Sequence, residues 1–145
     1  MFEKILYPTD FSDVAVKALA YVKRLKASGA KEVIVLHVND ERGNESVVRI
    51  LGGSQFNKLN EKKMEETERK LKDVEEELVD AGLKVDLRIE TGMPVREILR
   101  VEDEENVSIT VIGSHGRSNL EEIFLGSVSE KVIRKSKQPV FVIKR

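Results

Sequence analysis

Residues 113–129 read Gly113-Ser-His-Gly-Arg-Ser-Asn-Leu-Glu-Glu-Ile-Phe-Leu-Gly126-Ser127-Val-Ser129. Glycines stand at 113, 116 and 126, and a serine follows the last. The apolar run from Ser108 to Ile112 leads into the loop, and Val128, Val132 and Ile133 lead out of it at helical spacing. A strand, a glycine-rich loop and a helix in succession form the unit that open α/β sheets use to bind ligands beyond their strand ends.

The flanking sequence supplies the rest of such a sheet. Lys4 to Tyr7 (KILY), Glu32 to Val38, Leu83 to Ile89, Val107 to Ile112 and Pro139 to Ile143 are apolar or alternating and read as strands. Between them, Val14, Ala15, Ala18, Leu19, Val22 and Leu25 recur at helical spacing up to Gly29. Met64, Leu71, Val74, Leu78 and Ala81 mark a long amphipathic helix over 60–81, better suited to covering a sheet than to a coiled coil. Thr91-Gly92-Met93-Pro94 reads as a turn with Pro94 at a helix's first position. Residues 40–59 read as a mobile insertion with room for one helical turn. Strands alternating with helices predict a single α/β domain over 1–145, with a doubly wound, five-stranded parallel sheet. The pattern leaves two strand orders open, 2-1-3-4-5 and 3-2-1-4-5. In both, the ends of the first and fourth strands, at Pro8-Thr9-Asp10 and Gly113, are places for a site.

Composition excludes several classes. The 145 residues contain no cysteine, so disulfides, thiolate metal sites and a cysteine nucleophile are out. Net charge is -1 with acids and bases interspersed, and aromatics are 5 %, against a nucleic-acid surface. No run approaches the roughly 20 apolar residues of a membrane span, and the N-terminus lacks a signal-peptide layout. A cytoplasmic protein without membrane or nucleic-acid partners is expected. The 35 % charged fraction, rich in Lys and Glu, leans towards a thermophilic source.

Neither GxxxxGK[ST] nor GxGxxG occurs. The loop nonetheless has the parts of an anion cradle. Gly113 and Gly116 permit close backbone approach. Ser127-x-x-Glu130 is a candidate capping box, which would put Gly126 just before a helix N-terminus. Ser118-x-x-Glu121 is a second, suggesting a short helical turn through Leu120 to Phe124 that folds the loop back. Plain turn chemistry explains the same residues, so on these grounds alone both readings stand.

The whole motif, Gly113-x-x-Gly116, nine residues, Gly126-Ser127, resembles the signature of the universal stress protein family in its ATP-binding branch, and most closely the archaeal members. The similarity runs nearly end to end, through Ile5-Leu-Tyr-Pro-Thr-Asp-Phe-Ser12, Leu36-His-Val38, Gly92-x-Pro94, Ile112-Gly-Ser-His-Gly116 and Pro139-Val-Phe-Val-Ile-Lys144. The resemblance implies a Rossmann-like sheet of order 3-2-1-4-5. It implies ATP with Mg2+ or Mn2+ as ligand. Pro8, Thr9 and Asp10 would line the base and ribose, Val38 would hold adenine through its backbone, and Gly113 would meet the ribose. His115, Gly116, Arg117, Ser118 and Asn119 would run along the phosphates, and Gly126, Ser127, Val128 and Ser129 would close on their far end. It also implies a homodimer through strand 139–143.

Single residues carry plainer alternatives. Asp10 suits a helix N-cap as well as a ligand contact. His37 reads as a satisfied core histidine rather than a ligand. His115 suits donation to a phosphate better than base chemistry. Arg117 could pair with a phosphate or stay solvated. No catalytic base or arginine finger stands in the motif, and the HxGH and SGGxDS signatures are missing. An ATP-binding stress-response regulator acting through an unknown protein partner is therefore expected, with a slow ATPase or a dimeric scaffold holding structural nucleotide as alternatives.

Overall fold

The computed structural model describes residues 1–42, 44–116 and 125–145. Five parallel strands, β1 (Lys4–Pro8), β2 (Glu32–Asp40), β3 (Lys84–Gly92), β4 (Ile109–Gly113) and β5 (Val140–Ile143), pair in the order β3-β2-β1-β4-β5. This is the order 3-2-1-4-5 that the resemblance implied, one of the two that the pattern of elements alone left open. Helices α1 (Asp13–Arg24), α2 (Asn44–Leu51), α3 (Gly53–Asp80), α4 (Pro94–Glu104) and α5 (Ser127–Lys135) alternate with the strands.

Strand alternation sorts the core into two layers. Ile5 and Tyr7 of β1 join Val33 and Val35 of β2 under Ala18, Leu19 and Val22 of α1 and Leu71 and Leu78 of α3. Leu6, between them in sequence, points the other way, with Ile34 and Leu36, onto Ile98 and Val101 of α4 and Val132 of α5. A side-chain period of two in a strand requires that split. Because both faces are covered, the central strands read as continuous apolar runs.

Several boundaries differ from the sequence reading. The segment 40–59 is not a loose insertion. β2 continues to Asp40, α2 occupies Asn44–Leu51, and α3 starts at Gly53 rather than at residue 60. The sequence signal failed there because α2 buries none of its residues, so no core face announces it. Thr91 and Gly92 belong to β3, since the ladder with β2 runs on to Asn39↔Thr91 and Asp40↔Gly92. Pro94 does open α4 at its first turn. β4 starts at Ile109 and β5 at Val140, two residues and one residue later than their apolar runs suggest.

On the α4 side of the sheet, charges replace apolar side chains on edge strand β3. Arg88 pairs with Glu90, Glu104 and Glu105, and Arg100 with Glu90, Glu97 and Glu104. Lys4 closes the network on Glu105 at 2.8 Å. Charged side chains on an edge discourage further strand pairing.

Candidate functional site

The strand order reverses between β1 and β4. From β1 the chain steps outward to β2 and β3, whereas β4 and β5 lie on β1's other side. The crevice between the carboxyl ends of β1 and β4 is where such sheets take ligands.

The loop after β1 is held by its own polar atoms. The Thr9 amide extends the β1–β2 ladder to the Leu36 carbonyl at 2.8 Å. Thr9 Oγ1 then accepts from the Phe11 amide at 3.1 Å, and Asp10 Oδ1 from the Ser12 amide at 3.0 Å. Ser12, not Asp10, is the N-cap of α1, its hydroxyl accepting from the Ala15 amide. Asp10 sits too early for that role and braces the turn instead. Phe11 adopts φ +62°, a left-handed conformation costly for a bulky residue. Its ring stacks on His37 at 5.1 Å, while Lys70 Nζ lies 5.4 Å from the ring centroid. His37 Nδ1 lies 2.9 Å from the Thr9 carbonyl; a carbonyl can only accept, so Nδ1 carries the proton. His37 is thus the satisfied, half-buried histidine that its apolar run suggested.

The loop after β4 meets the start of α5. The Ser114 amide extends the β4–β5 ladder to Ile143 at 2.8 Å, and its carbonyl accepts the Gly126 amide at 2.7 Å. Ser129 Oγ donates to the same carbonyl at 2.7 Å and lies 3.0 Å from the Gly126 carbonyl. Gly126 is the N-cap of α5 with no side-chain capping bond, and Ser127 is already helical. The expected Ser127–Glu130 capping box is therefore not formed; Glu130 pairs with Arg134 at 3.0 Å. A helix start without such a cap leaves the amides of Ser127, Val128 and Ser129 with no acceptor inside the helix. The Gly126 amide itself is satisfied by Ser114.

The three glycines earn their places by close contact; none has a positive φ. A Cβ on Gly113 would lie 2.8 Å from Val14 Cγ1, so this glycine lets α1 press on β4. A Cβ on Gly116 would lie 3.1 Å from Asp10 Oδ2. One on Gly126 would lie 3.2 Å from both His115 Cα and the Ser114 carbonyl oxygen. Asp10, His115, Gly116, Gly126 and Ser129 thus converge, with Thr9, Ser114, His115 and Ser129 buried. Ser127 is exposed and Val128 half-buried on the first turn of α5. Pro8 is buried at the end of β1, and Val38 is half-buried on the neighbouring strand. Arg117, Ser118 and Asn119, the Ser118–Glu121 capping box and the turn through Leu120 to Phe124 lie outside the described residues.

Sequence reasoning passed over Ser114. Its Oγ lies 2.7 Å from His115 Nδ1, fixing one side of the imidazole. The other nitrogen, His115 Nε2, is buried and has no hydrogen-bond partner among the described residues. A serine beside a loop histidine was the available signal. The left-handed Phe11 had none, because nothing in a bulky residue announces positive φ.

A second, polar cleft lies at the ends of β2 and β3, lined by Arg42, Thr91, Met93, Arg96 and Glu97 among others. Arg42 there is bound to Asp40. Among the described residues no three His, Asp or Glu side chains cluster as metal ligands, and no helix is long and apolar enough to cross a membrane.

Comparison with known proteins agrees with this architecture. The family model described as "Universal stress protein family" matches residues 1–144. Universal stress protein MJ0577 of Methanocaldococcus jannaschii is 46% identical, over 100% of this chain and 96% of its own length. Universal stress protein YxiE of Bacillus subtilis is 33% identical, over 99% of this chain and 100% of its own. The solved structure of MJ0577 superposes with a TM-score of 0.87 at 48% identity, covering 100% of this chain and 97% of that one. A universal stress protein in complex with cAMP shares the fold at 24% identity and a TM-score of 0.66, covering 99% of this chain and 97% of that one. With a family match from residue 1 to residue 144 and an end-to-end relative at 46% identity, the chain belongs to the universal stress protein family.

Proposed function

We propose that the chain is an ATP-binding regulatory module, a nucleotide-dependent switch that acts in stress responses through a protein partner. The observation that carries this reading is His115 Nε2, buried and without a partner among the described residues, in a loop pinned against the uncapped start of α5. A buried polar atom without a partner costs about 1–3 kcal/mol, and such atoms in native proteins call for an explanation. With the Ser114 hydroxyl donating to Nδ1, the ring proton sits on Nε2, as a donor for a phosphate oxygen. The first-turn amides of α5 supply further donors and the positive end of the helix dipole. Gly113 and Gly116 contribute backbone unhindered by side chains. Arg117, Ser118 and Asn119 would extend the phosphate contacts. Thr9, Asp10 and Val38 form the base and ribose end, one strand spacing or two away.

The Asp10 carboxylate, beside Gly116, would hold a divalent cation, Mg2+ or Mn2+, whose charge would offset that of the phosphates. Such an ion would neutralise the triphosphate. His115, Ser114 and the α5 amides would orient it.

The homodimer belongs to the same reading. β5 is an edge strand, and Phe141 in its middle is 39% exposed. Pairing of two β5 edges would satisfy the free backbone groups and cover Phe141. A cytoplasmic site of action, where ATP is abundant, accompanies this reading.

Equilibrium dialysis of nucleotide-free protein against labelled Mg-ATP, followed by chromatography of the label, tests the proposal. Retained intact ATP is expected. Retained label appearing as ADP would move the reading to a slow ATPase. No retention at millimolar ATP would overturn it.

A further inference from the structure

Backbone hydrogen bonds sort the residues of β2 by parity. The Lys84 amide of β3 donates to the Lys31 carbonyl at 2.9 Å, and the Thr9 amide after β1 donates to the Leu36 carbonyl at 2.8 Å. Backbone polar groups alternate sides along a strand. Val33, Val35, His37 and Asn39 therefore turn theirs to β3, and Ile34, Leu36, Val38 and Asp40 turn theirs to β1. β1 ends at Pro8, the partner of Leu36, while β2 stays paired with β3 as far as Asp40↔Gly92. The amides and carbonyls of Val38 and Asp40 thus face the space beyond the end of β1, at the rim of the crevice between β1 and β4.

A β1–β2 ladder carried one step further would join the Val38 amide to the Thr9 carbonyl. That bond is not formed among the described residues; His37 Nδ1 donates to the Thr9 carbonyl instead, at 2.9 Å. Thr9 is 6% exposed, so its carbonyl needs a donor from within the fold. The imidazole supplies that donor, and the Val38 amide stays out of the ladder.

The imidazole is itself held in place. Phe11, at φ +62°, stacks its ring on His37 with centroids 5.1 Å apart and planes at 27°. Lys70 Nζ of α3 lies 5.4 Å from the Phe11 ring centroid. The Phe11 amide donates to Thr9 Oγ1 at 3.1 Å, so the chain doubles back directly after the residue whose carbonyl His37 takes. A left-handed conformation at a bulky residue costs energy and persists where the surroundings enforce it, commonly at binding sites. Here it keeps an aromatic ring on the imidazole.

Resting on the nucleotide reading above, we propose that His37 is a positioning residue for base recognition. By taking the Thr9 carbonyl it leaves the Val38 amide free beside the Val38 carbonyl, a donor and an acceptor for the edge of an adenine. Adenine offers an acceptor at N1 and a donor at its 6-amino group. Hypoxanthine, held at the same place by its phosphates, offers the reverse and leaves both backbone groups unpaired. His37 touches no ligand; it acts through Thr9 and Val38.

Amide exchange followed by NMR, and calorimetric titration with Mg-ATP, Mg-ITP (inosine triphosphate) and Mg-tripolyphosphate, test this on the wild type, His37→Leu and His37→Asn. In the ligand-free wild type the Val38 amide should exchange faster than those of His37 and Asn39, and slow with ATP but not with tripolyphosphate. In His37→Leu the Thr9 carbonyl loses its donor, the Val38 amide should close on it, and Val38 exchange should slow without ligand. Losing one hydrogen bond to the base should weaken ATP binding about three- to tenfold. The preference for ATP over ITP should fall with it, and tripolyphosphate affinity should not. His37→Asn, whose Nδ2 stands where Nδ1 does, should restore both Val38 exchange and ATP affinity; melting curves verify the fold of each variant. A Val38 amide as protected as its neighbours in the ligand-free wild type overturns the role of His37 and leaves the nucleotide reading intact. So does an ATP-over-ITP preference that His37→Leu does not change. Failure of the wild type itself to bind ATP overturns both.

Discussion

Ser129 Oγ donates to the carbonyl of Ser114 at 2.7 Å, across fifteen residues of chain, and the Gly126 amide shares that acceptor. One carbonyl at the end of β4 thereby pins the first turn of α5. The first-turn amides of α5, which would meet a phosphate, are thereby held by the end of β4. Ser129→Ala removes the side-chain half of this clamp and leaves the backbone half. Denaturant unfolding should show a loss of about 1 kcal/mol, and Tm should fall by about 3 °C. ATP affinity should fall with it, as read by calorimetry.

The glycines separate into different tests. At Gly116 a new Cβ meets the Asp10 carboxylate, a side chain that can turn aside. Gly116→Val should therefore keep the fold and lower ATP affinity at least tenfold. Gly113→Ala places its Cβ 2.8 Å from Val14, and should lower stability whether or not ligand is present. Gly126→Val presses on the backbone of Ser114 and His115 and combines both effects. Wild-type ATP affinity in Gly116→Val would count against the phosphate cradle.

The β5 edge carries its own expectation. Phe141 packs edge-to-face on Tyr21 at 5.9 Å and leaves the rest of its ring exposed. Phe141→Asp would place a charge in the middle of any β5–β5 pairing. Light scattering should then find monomer where a dimer is expected of the wild type, with the α/β circular dichroism spectrum unchanged. A dimer that survives this substitution uses another surface.

Stability should narrow at both ends of the pH scale. Arg100, then Arg88, holds the Glu104 carboxyl below its ordinary value of 4.5, and Lys4 does so for Glu105. A carboxylate with a depressed folded pKa contributes stability above about pH 4.5 that is lost as pH falls through the folded value. Arg88→Met should flatten that acid limb, and salt should weaken it, since these groups face solvent. Burial pushes the Tyr7 hydroxyl up to about 12 from 10.0. A raised folded pKa means stability fully present below about pH 10 and lost between 10 and 12. Tyr7→Phe should remove this alkaline loss. At neutral pH it should cost about 1 kcal/mol, for the hydrogen bond from the Tyr7 hydroxyl to the Ala15 carbonyl. Urea titrations across both limbs measure these effects.

Some of this was legible in residue order alone. The apolar runs at Lys4, Glu32 and Ser108 announced buried strands because a strand covered on both faces needs no alternation. Leu71, Val74 and Leu78 announced α3 through its helical spacing. Pro94 opened its helix because the fixed φ and missing amide of proline suit a first turn. The glycine spacing at 113, 116 and 126 marked the loop, since spacing survives without coordinates.

What the sequence could not decide was set by neighbours distant along the chain. Strand order depends on which edges pair, and no local pattern encodes that. α2 was hidden because an unburied helix leaves no core stripe. The N-cap moved from Asp10 to Ser12, and the capping box at Ser127 dissolved, because a cap depends on where backbone dihedrals change, not on residue type. Gly113 and Gly126 are required by Val14 and by the Ser114–His115 backbone pressing against them, contacts that exist only once β1, β4, α1 and α5 have packed. Residue types and their spacing thus determined most of the elements and marked the loop expected to carry the site. The tertiary structure alone decided which atoms meet there, because those contacts are long-range and made by packing.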